Sequence, residues 1–506
     1  MSMLYTIEEV RRIEQAALAE LPVGELMQRA GKEAAELAWR LLPRHDEGTR
    51  VLVLAGPGNN GGDALELAII LANRQIQVSV LQIAGREDTP EEFRLARKRA
   101  ISTTIQWEDA LAIHNTIKSL SAQHWDLVVD GLFGIGLRQI LDGNHYQLAE
   151  LVNAMSCPVL ALDVPSGLNA DTGCVQGGEK GIAIRATDTI TFLGNKPGLY
   201  TFQGRDHAGR IHHTRLGLDD RYFPPSRCWL NNPACFPACL TKRVHDSHKG
   251  SYGRVAILGG DEGMTGAPIL AARAALYAGT GRVHAVYLKS HPEYDPAQPE
   301  LMFCAAHRFD FSSLTTVAGP GLGTSIIAHH FVEHLLELRQ PVVLDADALN
   351  LIAASDALKS LVEFGSSGTI ITPHPLEAAR LLGQSVETIQ ADRIRSASRL
   401  AQSLNVTVVL KGSGTIIADA GGRVAVNPTG GPALASAGTG DVLAGICGAF
   451  LAQGISSWES ALAGVWLHGK AADELAGQGI GPTGLTAGEL IPMVRQIRNR
   501  LVAEQP

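Results

Sequence analysis

The sequence lacks paired cysteines. Its seven cysteines stand at 157, 174, 228, 235, 239, 304 and 447. An odd number without CxxC spacing argues against a disulfide framework and against a structural zinc site. Cys235 and Cys239 form the one close pair, and no second pair accompanies them. A basic block is missing too: the net charge is −8, which disfavours nucleic-acid binding through a phosphate footprint. The opening MSMLYTIEEVRRIEQ carries acidic residues and no apolar h-region, so a secretory signal is not expected. Long apolar runs are absent as well. Residues 442–458 are uncharged but contain Gln and two Ser, and they fall short of a membrane span. The 54 glycines follow no collagen period; they cluster in short runs that read as tight loops approaching ligands closely. What remains is a soluble, cytoplasmic protein without nucleic-acid or membrane partners.

The chain has 506 residues, 45% of them hydrophobic and 19% charged. That is ordinary for a globular protein and too long for one core, so two or three domains are expected. Thr6-Ile7-Glu8-Glu9 has capping-box form, and Val10, Ile13, Ala17 and Leu21 follow at helical spacing. Buried-strand candidates come next at 51–55, 78–83, 126–130, 159–163 and 189–193, with helical stretches such as 64–73 and 91–100 between some of them. Strands alternating with helices indicate a parallel sheet covered on both faces. Around residues 219–247 this rhythm is lost in a segment rich in Pro, Asn and Cys. A second α/β series then runs through 254–258, 283–288, 315–318, 342–345, 369–371, 407–410 and 415–418. The expected division is a first domain over 1–222, a linker over 223–240 and a second domain over 241–506. The halves share no motif, so no internal repeat is read.

In the first half, Gly56-Pro57-Gly58-Asn59-Asn60-Gly61-Gly62-Asp63 follows a strand and opens a helix. Consecutive glycines let backbone N–H groups approach a phosphate, and the helix N-terminus favours an anion. The loop is not the GxGxxG dinucleotide fingerprint. Asp130 closes a second strand, before Gly131-Leu132-Phe133-Gly134-Ile135-Gly136-Leu137, and Asp163 closes a third, before Val164-Pro165-Ser166-Gly167. Each carboxylate alone could be a helix cap or a loop anchor. Loops at the carboxyl ends of parallel strands are where open α/β sheets bind ligands, so the three together point to a site.

GNNGGD, DGLFGIGL, LDVPSG and Asn195-Lys196-Pro197-Gly198-Leu199, with Glu25-Leu26-Met27-Gln28-Arg29-Ala30-Gly31 upstream, resemble the signature set of NAD(P)H-hydrate epimerases over residues 5 to 220. Ala64 stands where that family usually has Gly. The resemblance implies a Rossmann-like three-layer αβα domain. It implies that Asn59, Asn60, Gly61, Gly62 and Asp63, with Gly134, Ile135, Gly136, Leu137, Arg138, Gln139 and Ile140, hold the substrate's nucleotide part. Asn60, Asp130 and Ser166 would supply oxygen ligands to a potassium ion, and Asp163 would contact the hydrated nicotinamide. The epimeric carbon bears a hydroxyl beside the ring nitrogen, so a proton donor to the departing oxygen and a base for its return suffice. Asp163 and Lys196 are the candidates for that pair.

In the second half, Ala435-Ser436-Ala437-Gly438-Thr439-Gly440-Asp441 is a Gly-rich turn with an Asp at a helix start. The N–H groups of residues 438–440 suit an anion hole for a transferring phosphoryl group, and Asp441 suits proton acceptance from an attacking hydroxyl. The alternative is an Asp cap after a flexible loop. With His248-Lys249-Gly250, Gly253-Arg254-Val255, residues 263–272, Pro299-Glu300-Leu301-Met302, AGPGLG at 318–323, LDADALN at 344–350, Thr372-Pro373-His374-Pro375 and Lys411-Gly412-Ser413-Gly414-Thr415, the pattern resembles the ribokinase-like fold and, within it, NAD(P)H-hydrate dehydratase over about 240 to 500. By that resemblance Lys411, Gly412, Ser413, Gly414, Thr415 and Gly440 hold the adenine nucleotide, and Ala267, Gly323, His374 and Asp441 line the hydrate pocket. Leu376 stands where the family usually has Gly. Glu300, Asp345 and Asp347 either orient Mg²⁺ or cap strands.

The two resemblances meet on one metabolite. Epimerisation of R and S NAD(P)HX followed by dehydration of the S form, with ADP as phosphoryl donor, accounts for both halves. NADHX, NADPHX and ADP are then the small-molecule partners, and family likeness implies a homo-oligomer. A ribokinase-like kinase of a small alcohol explains the Asp441 loop but neither GNNGGD nor DVPSG. A nucleotide-binding scaffold without turnover leaves the retained Asn60, Asp63, Asp130 and Asp163 unexplained.

Overall fold

The computed structural model describes residues 2–83, 89–137, 139–365 and 368–505. Two compact units divide the chain, Ser2–Ser226 and Arg227–Pro506. Both are α/β, and no helix among the described residues is long and apolar enough to cross a membrane.

The first unit is built on seven strands: β1 (Arg50–Ala55), β2 (Gln77–Gln82), β3 (Gln106–Trp107), β4 (Leu127–Gly131), β5 (Val159–Leu162), β6 (Asp188–Phe192) and β7 (Arg210–Thr214). They lie in the order β3-β2-β1-β4-β5-β6-β7, all parallel. Because β1 continues to β2 on one side and pairs with β4 on the other, the sheet has a switch point between β1 and β4. The loops leaving their carboxyl ends flank a crevice there. Strand residues alternate between two covered faces. Val51, Val53 and Ala55 pack with the helices Ile7–Leu18, Glu25–Leu41 and Asn59–Asn73, while Leu52 and Leu54 pack with Leu120, Leu148 and Val152 from helices on the other side. Apolar side chains on both faces are what a fully covered parallel sheet demands.

Helix Glu25–Leu41 approaches helix Asn59–Asn73 through small residues. A Cβ on Gly31 would lie 2.2 Å from the Glu66 Cβ, and one on Gly62 would lie 2.4 Å from the Met27 Cε. Ala64 is fully buried, and its methyl fills the space left by Gly131, where a Cβ would come within 2.4 Å of it.

The second unit carries ten strands: β8 (Cys228–Leu230), β9 (Arg254–Gly259), β10 (Arg282–Tyr287), β11 (Met302–Ala305), β12 (Thr315–Ala318), β13 (Val342–Leu344), β14 (Thr369–Ile371), β15 (Thr407–Leu410), β16 (Ile416–Ala418) and β17 (Val424–Val426). Their order is β11-β10-β9-β12-β13-β14-β15-β16-β17-β8. The strands are parallel from β11 to β15, and β16 alone runs against its neighbours. Helices Gly266–Tyr277, Thr439–Ala452, Ser457–Gly477 and Ala487–Glu504 bury their apolar sides with Val255, Ile257, Val317, Val343 and Ile370.

Residues 223–240, expected as a linker, differ from that expectation. Cys228–Leu230 forms β8, paired in register with Val424–Val426. Asn231 Nδ2 then donates to Asn427 Oδ1 at 3.0 Å and to the Leu462 carbonyl at 2.9 Å. The segment covers the open edge of β17, which would otherwise present unpaired backbone groups. Cys235 and Cys239 follow as buried members of the second unit's core, and burial raises both thiols above the usual range. Buried, protonated thiols are core side chains rather than metal ligands.

Candidate functional site

In the first unit the sequence turns sharply after β1. Gly56 and Gly61 are required there: a Cβ on Gly56 would sit 1.8 Å from the Leu132 carbonyl oxygen, and one on Gly61 would sit 1.9 Å from the Gly56 carbonyl oxygen. Helix Asn59–Asn73 opens with Gly58 as its N-cap and no side-chain cap. Its first N–H groups are therefore free to meet a ligand.

Asp130, at the end of β4, is fully buried. Its Oδ1 accepts from Ser166 Oγ at 2.6 Å and from the Leu132 N–H at 3.2 Å, and its Oδ2 accepts from the Ser166 N–H at 2.8 Å. Burial pushes this carboxyl up to about 6, against the pull of those bonds. Asn60 is buried too, and neither its Oδ1 nor its Nδ2 has a hydrogen-bond partner.

Asp163 follows β5 with φ of 65°, a left-handed conformation uncommon outside Gly, Asn and Asp and often found where structure serves function. Its Oδ1 accepts from Lys196 Nζ at 2.5 Å and its Oδ2 from the Ile135 N–H at 3.1 Å. Lys196 is fully buried, and Nζ also donates to the Phe192 carbonyl at 2.6 Å. Gly134 lies between two of these groups. A Cβ there would meet Asp163 Oδ2 at 2.7 Å and Asn60 Cγ at 3.4 Å.

These loops and helix Ile7–Leu18 enclose a cavity of about 460 Å³. Of the expected residues, Asn59, Asn60, Asp63, Gly134, Ile135, Gly136, Leu137 and Asp163 line it. Gly61 and Gly62 are buried behind its wall, and Gln139 and Ile140 are exposed and off it. Arg138 lies outside the described residues. Asp130, Ser166 and Lys196 support the wall from behind. Lys196 is not on the cavity wall; its ammonium is engaged with Asp163, which is, and with the Phe192 carbonyl. Glu14, which sequence reasoning passed over, is on the wall. It belongs to an amphipathic helix whose pattern signals only packing.

In the second unit the chemistry-bearing residues leave the carboxyl ends of β12 to β15. Asp345, just past β13, accepts from Lys411 Nζ at 2.8 Å and from Thr372 Oγ1 at 2.7 Å. Burial alone would pull the Lys411 ammonium down, yet Asp345, Glu377 and Asp441 hold it above its ordinary value. Asp347 Oδ2 accepts from the Gly323 N–H at 2.9 Å, and Ala267 packs beside the same turn, near Gly321. Helix Thr439–Ala452 begins at Gly438, with φ of 85° and no side-chain cap. Asp441 stands in its first turn, pushed up to about 6 by burial and then by the charges of Asp345 and Asp347, with Lys411 opposing. A Cβ on Gly440 would lie 3.5 Å from Lys411 Nζ. Gly440, Lys411, Asp345 and Asp441 therefore form one cluster.

His374 caps helix Pro375–Leu382. Its Nδ1 accepts from the N–H groups of Leu376 and Glu377 at 3.1 and 3.3 Å, and its Nε2 lies 3.2 Å from Glu377 Oε1. Burial, then Lys411, lower its affinity for a second proton. Leu376 is exposed. Glu300 is exposed on the approach to β11. The Lys411–Thr415 loop is braced by Arg393, a buried cation missed in the sequence. It donates to the carbonyls of Leu410 at 3.2 Å and Lys411 at 3.1 Å. A second cavity, of about 390 Å³, lies between residues 432–436 of the Gly-rich loop and residues 482–486.

A family model described as NAD(P)H-hydrate dehydratase matches residues 255–492, and one described as YjeF-related protein N-terminus matches residues 23–198. The chain is 38% identical over 511 residues to the bifunctional NAD(P)H-hydrate repair enzyme Nnr of Coxiella burnetii, covering 99% of this chain and all of that relative. It belongs to the bifunctional NAD(P)H-hydrate repair enzymes. The Escherichia coli relative of the same name is 36% identical over 518 residues, covering 98% of this repair enzyme and 94% of its own length. A solved Bacillus subtilis structure, ADP/ATP-dependent NAD(P)H-hydrate dehydratase co-crystallised with ATP and Mg²⁺, aligns with 54% of this chain and 98% of its own at 28% identity and a TM-score of 0.48.

Proposed function

We propose that this repair enzyme interconverts the R and S forms of NADHX and NADPHX in the Asp163 cavity and dehydrates the S form at the Asp441 cluster, with ADP as phosphoryl donor. One observation carries the reading: each unit holds an aspartate beside a glycine-opened helix N-terminus, Asp163 near Asn60 and Asp441 within its own first turn.

In the first site Asp163 is the base, held by Lys196, while Asn59, Asn60, Asp63 and residues 134–137 bind the nucleotide part. By family likeness Gln139 and Ile140 would follow on from that binding loop, beyond the cavity lining. The donor set fits a potassium ion: Asn60 Oδ1 is buried without a partner, and Asp130 and Ser166 add the hard oxygens such a cation takes. When bound, the ion would supply positive charge beside a buried carboxylate.

In the second site Lys411, Gly412, Ser413, Gly414, Thr415 and Gly440 hold the nucleotide, and Ala267, Gly323, His374 and Asp441 hold the hydrate. Asp441 takes the proton of the hydrate's hydroxyl as that oxygen bonds to the terminal phosphorus of ADP and the bond to AMP breaks. The ring nitrogen's lone pair then expels phosphate, a far better leaving group than hydroxide. Loss of a proton from the neighbouring ring carbon restores the dihydronicotinamide. Mg²⁺ travels with nucleotide phosphates and takes carboxylate oxygens. Asp347, whose Oδ1 has, among the described residues, only Asn350 Nδ2 at 3.5 Å, fits it. We take the enzyme to act as a homo-oligomer in the cytoplasm.

The test mixes the purified chain with both NADHX epimers, ADP, Mg²⁺ and K⁺ and follows NADH recovery, with enzyme-free controls for spontaneous epimerisation. Fast recovery from both epimers is expected. Recovery that stalls after the S form removes the epimerase assignment, and no recovery with ADP or ATP removes the whole reading.

A further inference from the structure

Four carboxyl groups, Glu14, Asp63, Glu92 and Asp163, line the N-terminal cavity. Two basic groups answer them. Lys196 is committed to Asp163 from behind the wall, and Arg11 lines the cavity one turn from Glu14. Glu14, Asp63 and Asp163 act on one another through their charges, and neighbouring like charges with so little compensation oppose ionising together. Among these, Asp163 is the one paired with a lysine.

We infer that Glu14 is the proton donor to the hydroxyl that leaves the hydrate, working with Asp163 as the base. This rests on the reading of the cavity as the epimerase site. Glu14 comes from helix Ile7–Leu18 and Asp163 from the loop after β5, so the two carboxyls reach the cavity from separate elements. Asn59 lines the same cavity, so the Glu14 carboxyl stands beside the loop expected to bind the substrate. Burial, then the charge of Asp163, raises the Glu14 carboxyl, with Asn59, Lys196 and Arg11 pulling partly back. Asp63 is driven up further still, by burial and then by Asp163, Glu14 and Glu66. It shares the cavity lining with Glu14. A carboxyl raised by burial opposite one paired with a lysine is a usual arrangement of an acid and a base sharing a site.

The step balances without a co-reactant. Glu14 gives its proton to the hydroxyl oxygen, the C–O bond breaks, water leaves, and the ring nitrogen's lone pair becomes the second bond of a C=N⁺ group. Water returns to the carbon from the other face and loses its proton to Asp163. Proton transfer from Asp163 back to Glu14 resets the site.

The experiment uses the full chain without nucleotide, so that only interconversion of purified R-NADHX and S-NADHX is read, by chromatography and corrected for the spontaneous rate. Glu14→Gln is expected to lower kcat by about 100-fold or more with KM little changed, the size of a lost general acid. Glu14→Asp should recover part of the rate. The wild-type rate should fall as pH rises through the Glu14 titration, and Glu14→Gln should lack that limb. ADP-dependent dehydration of S-NADHX by the same variants, unchanged, shows intact protein. A Glu14→Gln rate near wild type while Asp163→Asn is inactive overturns the Glu14 assignment alone, as does loss in Asp63→Asn with Glu14→Gln unaffected. A loss that Glu14→Asp does not relieve, with the pH limb still present, overturns it too. If Asp163→Asn also keeps its rate, the cavity is not the epimerase site and the parent reading falls.

Discussion

Asp441 and Lys196 are both charged groups in enclosed places, and their neighbours assign them different tasks. Around Asp441, burial and the carboxylates of Asp345 and Asp347 outweigh Lys411, so the carboxyl is pushed up to about 6. A base works in its ionised form. ADP-dependent dehydration should therefore rise with pH through about 6 and level off above it. Asp441→Asn should lower the rate by roughly 10² to 10⁴ at pH 7 and abolish that rise; kcat/KM measured from pH 5 to 8 with S-NADHX checks both. Lys196 has no comparable freedom. Its Nζ is fixed by Asp163 and the Phe192 carbonyl, and its removal leaves a carboxylate without its counter-ion. Lys196→Met should destabilise the first unit by about 3 to 5 kcal/mol, the range for breaking a buried pair. Urea unfolding followed by tryptophan fluorescence measures it, and a loss below about 1 kcal/mol, the range of an exposed pair, would mean the pair is effectively solvated.

Among the elements, helix–helix contact in the first unit depends on missing side chains. With only 2.2 Å between a Cβ at position 31 and the Glu66 Cβ, Gly31→Ala must separate helices Glu25–Leu41 and Asn59–Asn73 or bend one of them. The expected loss is about 1 to 3 kcal/mol, as for overpacked cores, and the nucleotide-binding end of the second helix should loosen with it. Thermal unfolding and KM for NADHX read the two effects; an unchanged melting temperature with an unchanged KM would show that the contact yields freely. The same elements show what a sequence exposes. Strands β1, β4 and β5 are continuous apolar runs ending in Ala55-Gly56, Asp130 and Asp163, so the strand ends and the loops beyond them were readable from composition. β8 was not, because its three residues sit among prolines and asparagines and become a strand only by pairing with Val424–Val426. Lys196 read as a site residue because its motif is distinctive, but its pairing with Asp163, 33 residues away, depends on the fold. Arg393 and Glu14 were invisible for the same reason. A charged residue on an amphipathic helix looks solvated until tertiary packing encloses it.

At the scale of the molecule, the two units hold chemically complementary steps in separate cores, and each aspartate proposed as catalytic depends on partners within its own unit. Asp163 is held by Ile135 and Lys196, whereas Asp441 is tuned by Asp345, Asp347 and Lys411. A substitution in one site should therefore leave the other site's rate constant untouched, while the combined reaction changes in a specific way. With Asp163→Asn, S-NADHX should still be converted to NADH at the wild-type rate. R-NADHX should be consumed only as fast as it epimerises spontaneously, so recovery from a mixture becomes biphasic. With Asp441→Asn, neither epimer should yield NADH, yet R and S should reach equilibrium as quickly as with the wild-type chain. Mixing the two variants should restore single-phase recovery from both epimers, because the hydrate can diffuse from one active molecule to the other. Time courses with separated epimers test all three expectations. If the mixed variants stayed biphasic although each retained its one activity, free diffusion of the hydrate would not suffice, and the fused arrangement would itself be passing substrate between the steps.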